Sequence, residues 1–166
     1  MTPKKFSKNL TGQGNPSSIR LGRNYGAGKI MERKGVGVIF RNNKGEILLQ
    51  LRDEKAPRYP NCWAFFGGGI EEGETPEAAL KREIEEELKI KVKHYSFFKK
   101  YDLVDIQGDI EGYYFIIPLN ASPEDLKKNL KEGKDLNYFS PEKIKELNTP
   151  DYEEQVFNDL SNLKLK

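Results

Sequence analysis

Apolar positions change their spacing several times along this chain, and each change predicts an element. From Gly35 the residues Val36, Val38, Ile39 and Phe40 form a β-branched and aromatic run. Asn42-Asn43-Lys44-Gly45 breaks it, and Ile47-Leu48-Leu49 with Leu51 resumes it, which predicts a β-hairpin. Residues 53–62 are polar with Pro57 and Pro60, a loop. Trp63 to Phe66 reads as a short aromatic strand that ends in Gly67-Gly68-Gly69. The spacing then lengthens. Leu80, Ile84 and Leu88 recur every fourth residue, with Thr75 as N-cap, Pro76 at the first helical position and Glu77 in the first turn. Residues 92–104 and 110–119 return to strand-like patterns around Gln107-Gly108-Asp109. Ser122-Pro123-Glu124 and Ser140-Pro141-Glu142 look like helix starts. Thr149-Pro150-Asp151 opens a last helix with Tyr152, Val156, Leu160 and Leu163 on one face. Strands and helices mix without strict βαβ alternation, so the expected class is α/β, a mixed sheet flanked by helices.

Residues 1–30 do not follow these patterns. They hold five Gly with Pro3, Pro16, Ser17 and Ser18, and read as a basic, flexible N-terminal arm ahead of a folded domain at 31–166. Eight basic residues through Lys34 make RNA contact by the arm conceivable, but no aromatic-basic interleaving supports it over a solvated tail. The charge is uneven: 13 Lys/Arg against 4 Asp/Glu in residues 1–68, 4 against 8 in 69–91, and 11 against 14 in 92–166. A basic part beside an acidic block fits phosphates on one side and cations on the other.

At 166 residues the chain has the size of one domain, and 11% aromatic content argues for a packed core. Mean hydropathy is −0.76, and no apolar run approaches the roughly 20 residues of a membrane helix. The N-terminus lacks the apolar stretch of a secretory signal. One cysteine, Cys62, and one histidine, His94, exclude an internal disulfide framework and a structural zinc site. A cytoplasmic protein without membrane association is expected. A Cys62–His94 thiol mechanism has no oxyanion loop to support it.

The unusual chemistry lies in Arg82-Glu83-Ile84-Glu85-Glu86-Glu87-Leu88. On a helix Glu83 and Glu87 fall on one side with Glu86 a step round the surface, bordering the apolar stripe. Like charges at this spacing destabilise a helix by about 0.2–0.5 kcal/mol per pair. A divalent cation would reconcile them, since Mg²⁺ is commonly held by carboxylates together with substrate phosphates. An ordinary acidic surface helix is the plain alternative. The glycines just before the helix let backbone approach a ligand, and their carbonyls could add metal ligands. Glycine turn, capped helix and clustered carboxylates together weigh against coincidence.

Residues 68–90, GGIEEGETPEAALKREIEEELKI, resemble the signature of the Nudix hydrolases, G-x5-E-x7-R-E-U-x-E-E-x-G-U, where U is aliphatic. Gly68, Glu74, Arg82, Glu83, Ile84, Glu86, Glu87 and Ile90 fall in register, and Lys89 replaces the last Gly. That Gly ends the helix in a left-handed conformation, so Lys89 either adopts it at a cost or the helix ends differently. The resemblance implies a Nudix-type α/β/α sandwich that binds Mg²⁺, or Mn²⁺, on the box helix. It implies Glu83, Glu86 and Glu87 as metal ligands, with the carbonyl of Gly67 or Gly68. Glu74 and Arg82 become structural, the Arg orienting a carboxylate. The implied reaction is attack of water on phosphorus in a nucleoside diphosphate linked to a further group.

Lys131-Glu132-Gly133 ahead of Leu136-Asn137-Tyr138-Phe139 is similar to the segment of the MutT branch that carries an extra metal-binding or catalytic glutamate. Glu132 is the candidate, with a solvated loop residue as the alternative. Arg52 sits where that branch has a phosphate-contacting Arg. The ADP-ribose branch carries a Pro past the box, where this chain has Val104-Asp105-Ile106. The dinucleoside polyphosphate branch carries a Tyr, where this chain has Gln107-Gly108. A nucleoside triphosphate is therefore the favoured substrate. The Asn that reads oxidised guanine in MutT has no counterpart in Pro150-Asp151-Tyr152-Glu153. Asp151 or Glu153 would meet another base edge, and Tyr152 would either stack on the base or join the core. A linked substrate (dinucleoside polyphosphate, sugar nucleotide, ADP-ribose or an RNA 5′ end) and a non-catalytic nucleotide sensor remain alternatives. Homodimers are common in this family, but no surface stripe here requires one.

Overall fold

The computed structural model describes residues 33–163; the N-terminal arm expected at 1–30 lies outside them. Seven strands build one mixed sheet: β1 (Arg33–Arg41), β2 (Ile47–Leu51), β3 (Trp63–Ala64), β4 (Phe66–Gly69), β5 (Ser96–Asp105), β6 (Gly108–Pro118) and β7 (Asp135–Phe139). The main order is β3-β2-β1-β6-β5, with β4 also pairing β1 and β7 pairing β2. The predicted hairpin forms, with Phe40 opposite Leu48. β1 then runs parallel to β6 along its whole length, Arg33 beside Ile110 to Arg41 beside Pro118. The helices are α1 (Pro76–Leu88), α2 (Pro123–Lys127), α3 (Pro141–Ile144) and α4 (Glu154–Ser161), the last entered by a 3₁₀ turn at Asp151–Glu153.

Alternation along the strands feeds two core layers. Val36, Val38, Phe40, Leu48 and Phe66 point to one face and pack with Leu80, Ile84 and Leu88 of α1. Ile39, Ile47, Leu49 and Phe65 point to the other and pack with Val156, Phe157 and Leu160 of α4. This is the expected α/β/α arrangement. Each of α1, α2 and α3 starts with a Ser or Thr cap followed by proline.

Four local expectations change. The aromatic strand at 63–66 is two strands: β3 pairs β2 and β4 pairs β1, and the glycines are part of β4, not a turn after it. Residues 92–95 are not strand, although Val92 and Tyr95 still pack on the α1 layer. Leu163 lies beyond α4 and is exposed. β7 is a strand whose short, polar-punctuated sequence gives little period-2 signal; its pairing with β2 defines it. Lys89 does adopt the left-handed conformation, φ 58°, and its N–H closes α1 on the Glu85 carbonyl.

Candidate active site

The site is assembled at the junction of α1, β4 and the end of β2. Thr75 Oγ1 accepts from the Ala78 N–H at 3.2 Å and fixes the start of α1. Burial of Ala79, Leu80, Ile84 and Leu88 then sets the rotation of the helix, and this turns Glu83 and Glu87 toward the glycine strand. Glu87 is buried, only 4% exposed, and its Oε2 accepts from the Gly67 N–H at 3.3 Å. Gly68 lies so close to the Glu83 carboxylate that a Cβ there would overlap it, and a Cβ on Gly67, φ 135°, would overlap the Val36 carbonyl. These glycines are required by close approach.

Arg82 braces the cluster. Its guanidinium donates twice to Glu74, at 2.9 and 2.8 Å, and to Glu83 at 2.7 Å, Gly69 O at 2.9 Å and Glu86 at 3.5 Å. Arg82, with the Glu71 N–H, holds Glu74 down at about 2. Glu86 is the exposed member of the set.

Glu132 stands on a loop pinned at three points. The Lys131 N–H donates to Glu87 O at 3.1 Å, the Gly133 N–H to Asp53 Oδ2 at 3.1 Å, and the Lys134 N–H to Leu51 O at 2.9 Å. The loop reaches the C-terminal turn of α1, and the charge of Glu132 is felt at both Glu83 and Glu87. Burial, then the charges of Glu83 and Glu132, push the Glu87 carboxyl up to about 8. Burial also raises Glu83, against the pull of Arg82. A cleft of about 550 Å³ opens beside Glu132, lined also by Gln50, Arg52, Lys55 and Lys131. Arg52 is held by its own Nε–H, which donates to Arg58 O at 3.0 Å.

The donor set is all oxygen, which suits a hard divalent cation. As the side chains stand, no three acidic groups among the described residues close on one point: Arg82 draws Glu83, and Glu87 is turned to the Gly67 N–H.

Tyr152 is half-buried, its ring 5.2 Å from that of Tyr59 and its hydroxyl 3.2 Å from Glu153 Oε1. Glu153 is 3% exposed and its Oε2 accepts from the Phe65 N–H at 3.3 Å. Burial pushes its carboxyl to about 8. Asp151 is exposed. Cys62 is buried and precedes β3, while His94 is exposed and precedes β5, so the two flank opposite edges of the sheet. Trp63 packs edge-on to Phe139 and Phe65 stacks on Phe157, both as core. Sequence reasoning overlooks Gln50 and Asp53, which touch the pinned loop; a polar residue inside the run Ile47-Leu48-Leu49-Gln50-Leu51 is the signal for the first.

The profile of the NUDIX domain matches residues 31–160, and the chain belongs to that family. It is 45% identical over 67 residues to the 8-oxo-dGTP diphosphatase of Escherichia coli, a match covering 40% of this chain and 50% of that protein. It is 42% identical over 115 residues to the RNA pyrophosphohydrolase of Acinetobacter baylyi, covering 60% of this chain and 66% of that one. The chain spans between 28% and 66% of the length of such curated relatives. Among solved structures, a protein from Deinococcus radiodurans superposes with TM-score 0.67 at 18% identity, covering 83% of this chain and 88% of that one. The MutT protein of Methanosarcina mazei superposes with TM-score 0.62 at 23% identity, covering 78% and 92%. These two likenesses establish the fold. No helix among the described residues is long and apolar enough to cross a membrane.

Proposed function

We propose that this chain is a metal-dependent pyrophosphohydrolase that cleaves a nucleoside triphosphate to NMP and PPi. The observation that carries the reading is that Glu83 and Glu87 face the glycine strand, while the loop of Glu132, tied to the Glu87 carbonyl, borders a cleft lined by Arg52 and Lys131. Glu83, Glu86, Glu87 and Glu132, with the carbonyl of Gly67 or Gly68, would hold Mg²⁺ or Mn²⁺. Such an ion neutralises phosphate charge and makes bound water a stronger acid. The rest falls to the protein. Arg82 and Glu74 keep Glu83 aimed. Arg52 meets the phosphate chain as a fixed cation, because its Nε–H is already committed to the Arg58 carbonyl. A carboxylate of the cluster takes the proton of the attacking water. Tyr152, next to Tyr59, offers an aromatic wall to the base.

The names of two relatives, a diphosphatase of 8-oxo-dGTP and an RNA pyrophosphohydrolase, support attack on a nucleotide pyrophosphate bond. The second name, whose alignment is the longer of the two, favours an RNA 5′ end as the second reading. Product analysis decides. The protein is incubated with canonical and oxidised (d)NTPs, ADP-ribose, diadenosine tetraphosphate, a sugar nucleotide and a 5′-triphosphorylated RNA, with and without Mg²⁺. Mg²⁺-dependent NMP and PPi from triphosphates support the proposal. Turnover of RNA alone selects the second reading, and turnover of nothing overturns both.

A further inference from the structure

Gln50 is a buried amide, 4% exposed, in the middle of an otherwise apolar strand. Burying an amide costs free energy unless its hydrogen bonds are replaced, so its partners explain its presence. Side chains alternate along β2. Ile47 and Leu49 join the α4 layer and Leu48 joins the α1 layer, which sends Gln50 toward α1. There its Nε2 donates to the Phe65 carbonyl at 3.3 Å, at the junction of β3 and β4. Its Oε1 faces the backbone of Gly133, where a Cβ would come within 3.2 Å of it. One side chain therefore bridges two parts of the site, the strand leading into Gly67 and Gly68 and the loop of Glu132.

We propose that Gln50 is a positioning residue for the candidate metal site: its amide holds the strand leading into Gly67 and Gly68 in register with the Glu132 loop. The proposal rests on the reading of Glu132 and the Gly67 or Gly68 carbonyl as metal ligands. Gln50 borders the cleft with only 4% of its surface exposed, so its role is to position the ligands and not to hold the nucleotide. Partners in this outer position typically govern 10–100-fold in metal affinity or activity.

The test is Gln50→Leu, which keeps size and removes the amide, with Gln50→Asn, which keeps the amide and shortens its reach. Mn²⁺ affinity is measured by electron paramagnetic resonance on the full chain without nucleotide. Both variants should lose about tenfold or more in Mn²⁺ affinity. Where turnover is found, kcat should fall similarly while KM for nucleotide stays within about twofold. In the wild type, the Gln50 side-chain amide resonance should shift on Mg²⁺ addition, a readout that needs no variant to fold. Wild-type Mn²⁺ affinity in a folded Gln50→Leu protein, or an unmoved amide resonance, overturns the proposal. So does absence of Mn²⁺ binding by the wild type. A wild type that binds Mn²⁺ yet turns over no nucleotide defeats the functional reading alone, and the Mn²⁺ affinities still decide this one.

Discussion

Two glutamates of this protein, Glu87 and Glu153, are equally buried and equally reluctant to ionise, each pushed up to about 8. Their surroundings differ. Glu153 is raised by burial, and a backbone N–H from Phe65 and the Tyr152 hydroxyl satisfy its oxygens. Neutralising it takes one proton, and the result is a well-packed joint between β3, β4 and the entry to α4. Glu87 is raised by burial and then by two further carboxylates, Glu83 and Glu132. A proton relieves only one of the three, whereas a divalent cation would relieve all of them. A raised pKa therefore marks burial; the presence of other carboxylates around it marks a site.

The strongest way to break this comparison is to change Glu87 and Glu153 to Gln separately. Glu87→Gln should reduce kcat by two or more orders of magnitude, with an unchanged far-UV spectrum and a thermal midpoint at least as high as that of the metal-free wild type. Glu153→Gln keeps the shape and should retain most activity. Equal losses in the two variants would erase the distinction. Glu86→Gln should also cost orders of magnitude without unfolding, and wild-type turnover there would remove Glu86 from the ligand set.

A second test uses the glycines. Gly68→Ala drives a methyl group into the Glu83 carboxylate, whereas Gly69→Ala meets open space. We expect at least a tenfold drop in kcat/KM for the first and less than twofold for the second, by steady-state kinetics.

The pH dependence of stability sharpens the contrast. A carboxyl at about 8 in the folded chain and near its ordinary 4.5 when unfolded binds more protons folded than unfolded between those values. Stability of the metal-free protein should then fall as pH rises from about 5 to 8, by on the order of 1 kcal/mol per pH unit for each group. Excess Mg²⁺ should cancel the share of Glu87 and leave that of Glu153, which Glu153→Gln removes. Urea unfolding at pH 5 and pH 8, with and without Mg²⁺, checks it. Complete cancellation by Mg²⁺ in the wild type would place Glu153 in the metal site as well.

The smallest effect belongs to Lys89→Gly. The left-handed cap is strained for Lys, so glycine should stabilise by about 1 kcal/mol and leave kcat unchanged, measured by urea unfolding and turnover.

Much of this was legible along the chain because the signals were local. The caps at Thr75, Ser122 and Ser140 and the four-residue stripe of α1 each depend on neighbours within one turn. The meeting of Arg82 with Glu74 spans eight residues of one motif. The three-point pinning of Glu132 was not legible, for it draws on Asp53, Leu51 and Glu87. Nor was β7, whose identity comes from its partner strand.

What the sequence determined by itself was the α/β class, the hairpin, the box helix and the set of carboxylates on it, since period and capping act over a few residues. Tertiary structure alone decided which of those carboxylates is buried, how near Glu132 comes, and that Gln50 and Glu153 clamp the carbonyl and the N–H of one residue, Phe65. Burial, desolvation and the mutual repulsion of charges depend on distances between strands and loops far apart in the chain. Those distances exist only once the two core layers have packed on either side of the sheet.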